Sequence, residues 1–222
     1  MHKYLDMIHI LSQTPSIVNR YVAQIRDVNI QTDSMRFRKN IERIGNCIAY
    51  ELSKQLNYKT QKVETPLGKA TSELLSDQVI LATILRAGLP LHQGMLDFFD
   101  NAGNAFVSAY RKHHKDGTFE IAVEYMSCPD LEGKVLIVCD PMLATGSSMV
   151  LATQALLKNG NPKSIHFVAA IAARQGMDYV NRHFPKADIW LGDLDEELTA
   201  KSYIVPGLGD AGDLCYGPKL QD

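Results

Sequence analysis

Apolar positions recur along this 222-residue chain in two rhythms. Phe37, Ile41, Ile44, Ile48 and Leu52 return at steps of four, three, four and four, the spacing of one helix face. Thr32, Asp33 and Ser34 supply capping side chains ahead of them. After Thr65-Pro66-Leu67-Gly68 near-continuous apolar runs take over. Residues 79–85, 134–139 and 165–173 predict buried strands, with shorter strands at 106–110 and 188–191, the last of the chain. Residues 118–125 alternate polar and apolar, as a half-exposed hairpin strand does. Between them, 89–99, a segment after Ser148 closed by Asn159-Gly160-Asn161-Pro162, and 176–183 predict helices. The first 30 residues are mixed and assign no element. Apolar strands separated by helices imply an α/β fold whose parallel sheet is covered on both faces.

Composition narrows the function. Lys and Arg total 23 against 25 Asp and Glu, a formal charge of −2, which excludes a broadly cationic nucleic-acid binder. The longest apolar run, Phe167 to Ala173, is far too short to span a membrane, and Met1 to Asp6 lack the apolar segment of a secretory signal. Cys47, Cys128, Cys139 and Cys215 stand far apart without metal-ligand spacing and read as unpaired thiols. No repeat, low-complexity tract or linker divides the chain. The expectation is one soluble, cytoplasmic domain over residues 1–222, with no nucleic-acid or membrane partner.

The candidate chemistry lies after the run 134–139. In open α/β sheets ligands bind beyond the carboxyl ends of the strands, where Asp140-Pro141-Met142-Leu143-Ala144-Thr145-Gly146-Ser147-Ser148 begins. Ala144 and Gly146 let the backbone approach a phosphate monoester, and Thr145, Ser147 and Ser148 bring hydroxyl donors. The amides opening the next helix favour an anion. Asp140 would repel a phosphate, so a ribose hydroxyl, or a metal ion reached through water, suits it better. A capped helix start is the plain alternative. The kinase P-loop pattern and its lysine are missing.

These residues resemble the phosphoribosyl-pyrophosphate (PRPP) loop of the type I phosphoribosyltransferases. Asp140-Pro141-Met142-Leu143-Ala144-Thr145-Gly146 is similar to the form in the uracil branch. Val63-Glu64-Thr65-Pro66-Leu67-Gly68-Lys69, then Ile84-Leu85-Arg86-Ala87-Gly88-Leu89, is similar to that branch's segment up to and through its pyrophosphate turn. Residues 203–213, Tyr-Ile-Val-Pro-Gly-Leu-Gly-Asp-Ala-Gly-Asp, are similar to its uracil-binding C-terminal segment. Together the resemblance covers about residues 33–219.

The resemblance implies a parallel sheet flanked by helices, a small hood from the N- and C-terminal parts, and a β-hairpin arm. It implies pyrimidine salvage: uracil and PRPP become UMP and diphosphate, with Mg²⁺ held mainly by PRPP and water. It assigns Arg86, Arg111, Asp140 and Asp210 to catalysis. PRPP would be bound by Arg86, Arg111, Asp210 and the loop of Asp140, Pro141, Met142, Leu143, Ala144, Thr145, Gly146, Ser147 and Ser148. Ile204, Gly209, Asp210 and Ala211 would bind uracil. A non-proline cis peptide near Arg86 and Ala87, a homodimer or higher homo-oligomer, and GTP as a candidate activator follow from the same source.

Each residue also has a plainer reading. Arg86 could be a solvated strand end, although the planar fork of arginine suits a pyrophosphate. After Tyr110-Arg111 the sequence departs from the family's usual acidic residues with Lys112-His113-His114-Lys115, a basic addition or a solvated hairpin tip. The adjacent histidines point apart on a strand and make a poor metal site. Gly207, Gly209 and Gly212 could be turn residues only. Trp190 reads as core, and Phe37-Arg38 carries no assigned task. Two other readings stay open: an RNA-binding pyrimidine sensor, disfavoured by the net charge, and a catalytically weakened relative that binds nucleotide.

Overall fold

The computed structural model describes residues 7–113 and 119–218, with the side chains of 109–123 outside the description. In chain order its elements are β1 (Ile8–Ile10), α1 (Ile17–Arg26), α2 (Ser34–Ser53), β2 (Tyr58–Thr65), β3 (Gly68–Leu75) and β4 (Val79–Leu85). Next come α3 (Leu89–Leu96), β5 (Gly103–His113), β6 (Phe119–Ser127), β7 (Val135–Cys139), β8 (Met142–Leu143) and α4 (Ser147–Leu156). The chain closes with β9 (Ser164–Ala173), α5 (Arg174–His183), β10 (Asp188–Asp195), β11 (Glu197–Leu198), β12 (Ile204–Val205) and α6 (Ala211–Tyr216).

The main sheet runs β1-β10-β9-β7-β4-β5-β6, with β8 added beside β9. Every pairing in it is parallel except that of β5 with β6. Two apolar cores sandwich it, because side chains alternate faces even within an uninterrupted apolar strand. Leu81, Ile137 and Val168 enter one core with Phe37, Ile41, Ile44, Ile48 and Leu52 of α2. Ile80, Leu136 and Phe167 enter the other with Met149 and Leu156 of α4 and Val180 of α5. All five helix-face residues of α2 are 1% exposed or less, each contributing about 1.5–3 kcal/mol by burial. Asp33 caps this helix by accepting from the Arg36 amide at 3.0 Å.

The sequence reading needs three corrections. First, the last predicted strand extends to Asp195 and is followed by β11 and β12. Gly192 and Asp193 interrupt its apolar run, but pairing of Asp193, Leu194 and Asp195 with Ile171, Ala172 and Ala173 carries the ladder on. Second, the unassigned N-terminal region holds α1, which buries Val18, Val22 and Ile25, and β1, paired with β10. Three residues of strand are too few to show a period. Third, the apolar pattern predicts no element over residues 58–75, where β2 and β3 form a separate antiparallel hairpin exposed almost throughout, the β-hairpin arm that the family resemblance implies. With no buried face it has no sequence rhythm.

Trp190 is core, 3% exposed and stacked on His9 with ring centres 3.8 Å apart. The four cysteines are unpaired. Among the described residues no helix is long and apolar enough to cross a membrane. The C-terminal β11–β12 pair and α6 are tied to the N-terminal helices, Arg38 donating to the Cys215 carbonyl and Arg26 to that of Gly207. This is the hood.

Candidate active site

The strand order has a switch point between β4 and β7. β4 and β7 are parallel neighbours, yet α3 leaves β4 on one face and α4 leaves β7 on the other. Chain departing to opposite faces opens a gap at the strands' carboxyl ends, the place where α/β sheets bind ligands. Arg86-Ala87-Gly88 sits at one lip and Asp140 to Ser148 at the other. The Arg86 turn packs against the end of β7: a Cβ on Gly88 would stand 3.1 Å from the Cys139 carbonyl oxygen.

Arg86 is exposed; its carbonyl accepts from the Leu89 amide at 3.3 Å, and its guanidinium has no hydrogen-bond or ion-pair partner among the described residues. The Leu85–Arg86 peptide is cis, as the sequence reading expected of this turn. The C-terminal segment comes over the same lip. A Cβ on Gly212 would lie 3.1 Å from Asp210 Oδ1 and 4.0 Å from Arg86 Nη2, although Arg86 and Gly212 are far apart in the chain. Asp210 caps α6, accepting from the Asp213 amide at 3.0 Å.

The loop on the other lip is built on backbone. The Pro141 carbonyl accepts from the amides of Ala170 and Ile171, and Met142 and Leu143 pair with Ile171 and Ala172 as β8. Pro141 and Leu143 are therefore buried, Met142 and Ala144 half-buried. Gly146 precedes α4 with φ +81°, and no side chain caps the helix. The Ser147 amide donates to Thr145 Oγ1 at 3.4 Å, and the amides that follow it in the first turn are left for an anion. Thr145, Ser147 and Ser148 are half-buried around them, with Thr145 Oγ1 3.3 Å from Ser147 Oγ. Asp140 is half-buried, and Oδ1 accepts from the Met142 amide at 3.3 Å. Burial pushes its carboxyl up to about 7, and the Met142 amide only partly offsets this.

In the C-terminal segment Ile204 and Ala211 are buried, Asp210 half-buried and Gly209 exposed. The backbone of Arg111 lies on β5 opposite Ile121. Its side chain lies outside the described residues, as do His114 and Lys115.

These shapes can be set beside known proteins. The uracil phosphoribosyltransferase family model matches residues 11–218. The chain belongs to the uracil phosphoribosyltransferase family. The uracil phosphoribosyltransferase of Porphyromonas gingivalis is 53% identical over 217 residues, covering 97% of this chain and all of the relative. That of Thermococcus gammatolerans is 37% identical over 219 residues, covering 97% and 96%. Among solved structures, the AQ2163 protein of Aquifex aeolicus superposes with a TM-score of 0.84 at 32% identity, covering 97% of this chain and all of that one. The main sheet flanked by helices is thus the type I phosphoribosyltransferase-like fold.

For a uracil phosphoribosyltransferase family member, sequence reasoning overlooked the supports of these loops. Arg26 grips Asp193, Asp195 and Gly207. Gly176 of α5 meets the loop backbone at Ala144. Arg38 holds the Cys215 carbonyl and lies 5.7 Å from the Tyr216 ring centre. One signal was available: Asp193 and Asp195 alternate along a strand, so they share a face and call for a cation. Nothing local marks Arg26 or Gly176.

Proposed function

We propose that this protein transfers the phosphoribosyl group of PRPP to N1 of uracil, forming UMP and diphosphate. The observation that carries this reading is that the Arg86 turn packs against the end of β7, where the Asp140–Ser148 loop starts, while a Cβ on Gly212 of the C-terminal segment would lie 4.0 Å from Arg86 Nη2. The reaction needs the same three parts: a cationic site for the leaving diphosphate, an anchor for the 5′-phosphate, and an oriented base.

In this reading Arg86 and Arg111 bind the diphosphate, using bidentate guanidinium contacts to spread its growing charge. The hydroxyls and amides of Thr145 to Ser148 hold the 5′-phosphate at the start of α4. The backbone of Pro141 to Gly146 shapes the floor of the PRPP site. Asp140 and Asp210 face the ribose and its leaving group, and Ile204 with Gly209 to Ala211 orients uracil. As the bond from C1 to diphosphate breaks, N1 attacks from the opposite face, through a transition state of oxocarbenium character.

Asp140 also fits the cation that accompanies PRPP. It is one carboxylate, raised by burial, whose hydrogen bond comes from a neutral amide. A single such group suits outer-sphere contact with Mg²⁺ better than a dedicated protein cage. Mg²⁺ would supply charge neutralisation of the diphosphate. The family reading also carries a homo-oligomer, GTP as a candidate activator and a cytoplasmic setting.

Incubating the protein with labelled uracil, PRPP and MgCl₂ tests the proposal. Labelled UMP and diphosphate should appear in equal amounts. No product from folded protein overturns it. Adding GTP in the same assay, and sedimentation of the protein, examine activation and assembly.

A further inference from the structure

Arg26 ends α1 far from Arg86 in sequence, yet its terminal N–H groups are fully engaged near the crevice. Nη1 donates to Asp195 Oδ2 at 2.8 Å and to the Gly207 carbonyl at 2.9 Å. Nη2 donates to Asp193 Oδ2 at 2.8 Å and to Asp195 Oδ1 at 2.9 Å. The Gly207 amide in turn donates to Asp195 Oδ2 at 3.1 Å. Both polar groups of Gly207 are therefore fixed by one ion pair. Gly207 has φ +59°, and a Cβ there would stand 2.1 Å from the Ile204 carbonyl oxygen, so the turn admits no side chain. Two residues on, Gly209 begins the stretch that the uracil reading assigns to the base. The pair is well shielded, the Arg26 side chain 18% exposed and that of Asp195 7%.

We propose that the Arg26–Asp195 clasp is a positioning device for base recognition: it sets the main-chain amides and carbonyls of Gly209 to Ala211 through Gly207. Neither residue touches the base. The proposal rests on the uracil reading of the crevice. The geometry calls for a guanidinium. Four acceptor contacts leave from two nitrogens in one plane, whereas an ammonium radiates three N–H bonds from a point. Arg26→Lys thus keeps the charge beside buried Asp195 and loses the span to Gly207. Asp193 serves as a brace, since Ser12 Oγ donates to its other oxygen at 2.6 Å.

The test compares wild type with Arg26→Lys in steady-state kinetics and in hydrogen exchange of the backbone amides. The proposal expects the KM for uracil to rise by at least about tenfold, with the KM for PRPP held within about twofold, because misplacing a recognition group weakens its own ligand first. It also expects faster exchange at Gly207 to Ala211 and no change at Asp140 to Ser148. A parallel rise in both KM values, or an unchanged uracil KM whatever the exchange shows, reduces the clasp to a structural ion pair and overturns the proposal. If Arg26→Lys does not fold, Asp193→Asn removes one brace and should give the same split, smaller in size. Wild-type protein that fails to turn over uracil refutes the reading of the crevice. Exchange at Gly207 to Ala211 then still judges the clasp, and unchanged exchange overturns it.

Discussion

Asp140 shows how a single residue can serve a site at the expense of the fold. Its carboxyl, ordinarily near 3.8, is raised to about 7 by burial. From about pH 4 to 7 the unfolded chain has lost this proton while the folded protein keeps it. The stability associated with the protonated form is thus present at low pH and disappears as pH rises through about 7. Asp140→Asn keeps the acceptor for the Met142 amide and removes the charge. The variant should be more stable than wild type at pH 8, by up to a few kcal/mol, or about 2–4 °C in Tm per kcal/mol. That gain should vanish near pH 4. Its kcat/KM should fall by about a hundredfold if the carboxylate acts on the ribose in the transition state. Thermal melts at both pH values and kinetics at one decide the matter. An equal Tm gain at pH 4 and 8 would remove burial of charge as the cause, and near-wild-type kinetics would remove Asp140 from the site.

At the scale of elements, the loop from Asp140 to Ser148 is shaped by its contact with α5. A Cβ on Gly176 would stand 2.2 Å from the Ala144 carbonyl oxygen and 2.8 Å from that of Leu143. These are backbone atoms, so no side chain can rotate away. Gly176→Ala must push the loop outward or shift the helix, at a cost of about 1–3 kcal/mol as in overpacked cores. The Arg86 turn and the C-terminal segment do not make this contact. The expected result is a raised KM for PRPP with the KM for uracil little changed, and a lowered Tm. Wild-type PRPP kinetics in the variant would show that the loop tolerates displacement. Paired with Arg26→Lys, this substitution should separate the two substrates in opposite directions.

For the molecule as a whole, selectivity tests whether the three loops act as one site. Uracil presents acceptor, donor and acceptor along O4, N3–H and O2. Main-chain groups from Gly209 to Ala211 can offer the complement, which does not change with protonation. Cytosine reverses two of the three positions, and buried mismatches of this kind discriminate by about 10⁴. A small group at C5 changes none of them. Uracil and 5-fluorouracil should therefore be turned over, with essentially no product from cytosine or purines. Comparable kcat/KM for cytosine and uracil would overturn the base assignment, and hypoxanthine turnover would place the chemistry with purines.

The sequence by itself determined the parts whose physics is local. The α2 stripe, the apolar strands β4, β7 and β9, and the loop from Asp140 to Ser148 could be read because burial and turn chemistry imprint a period or a composition on neighbouring residues. The family segments read from the chain lie within the matched residues 11–218. The tertiary structure alone decided what long-range contact creates. β1 exists because β10 offers it an edge, and the end of β10 follows from pairing with β9 rather than from apolar residues. The approach of Gly212 to Arg86 and the grip of Arg26 on Asp195 and Gly207 join positions far apart in the chain. A lone arginine or glycine has no periodic signal. Its role is fixed by the groups that folding brings against it.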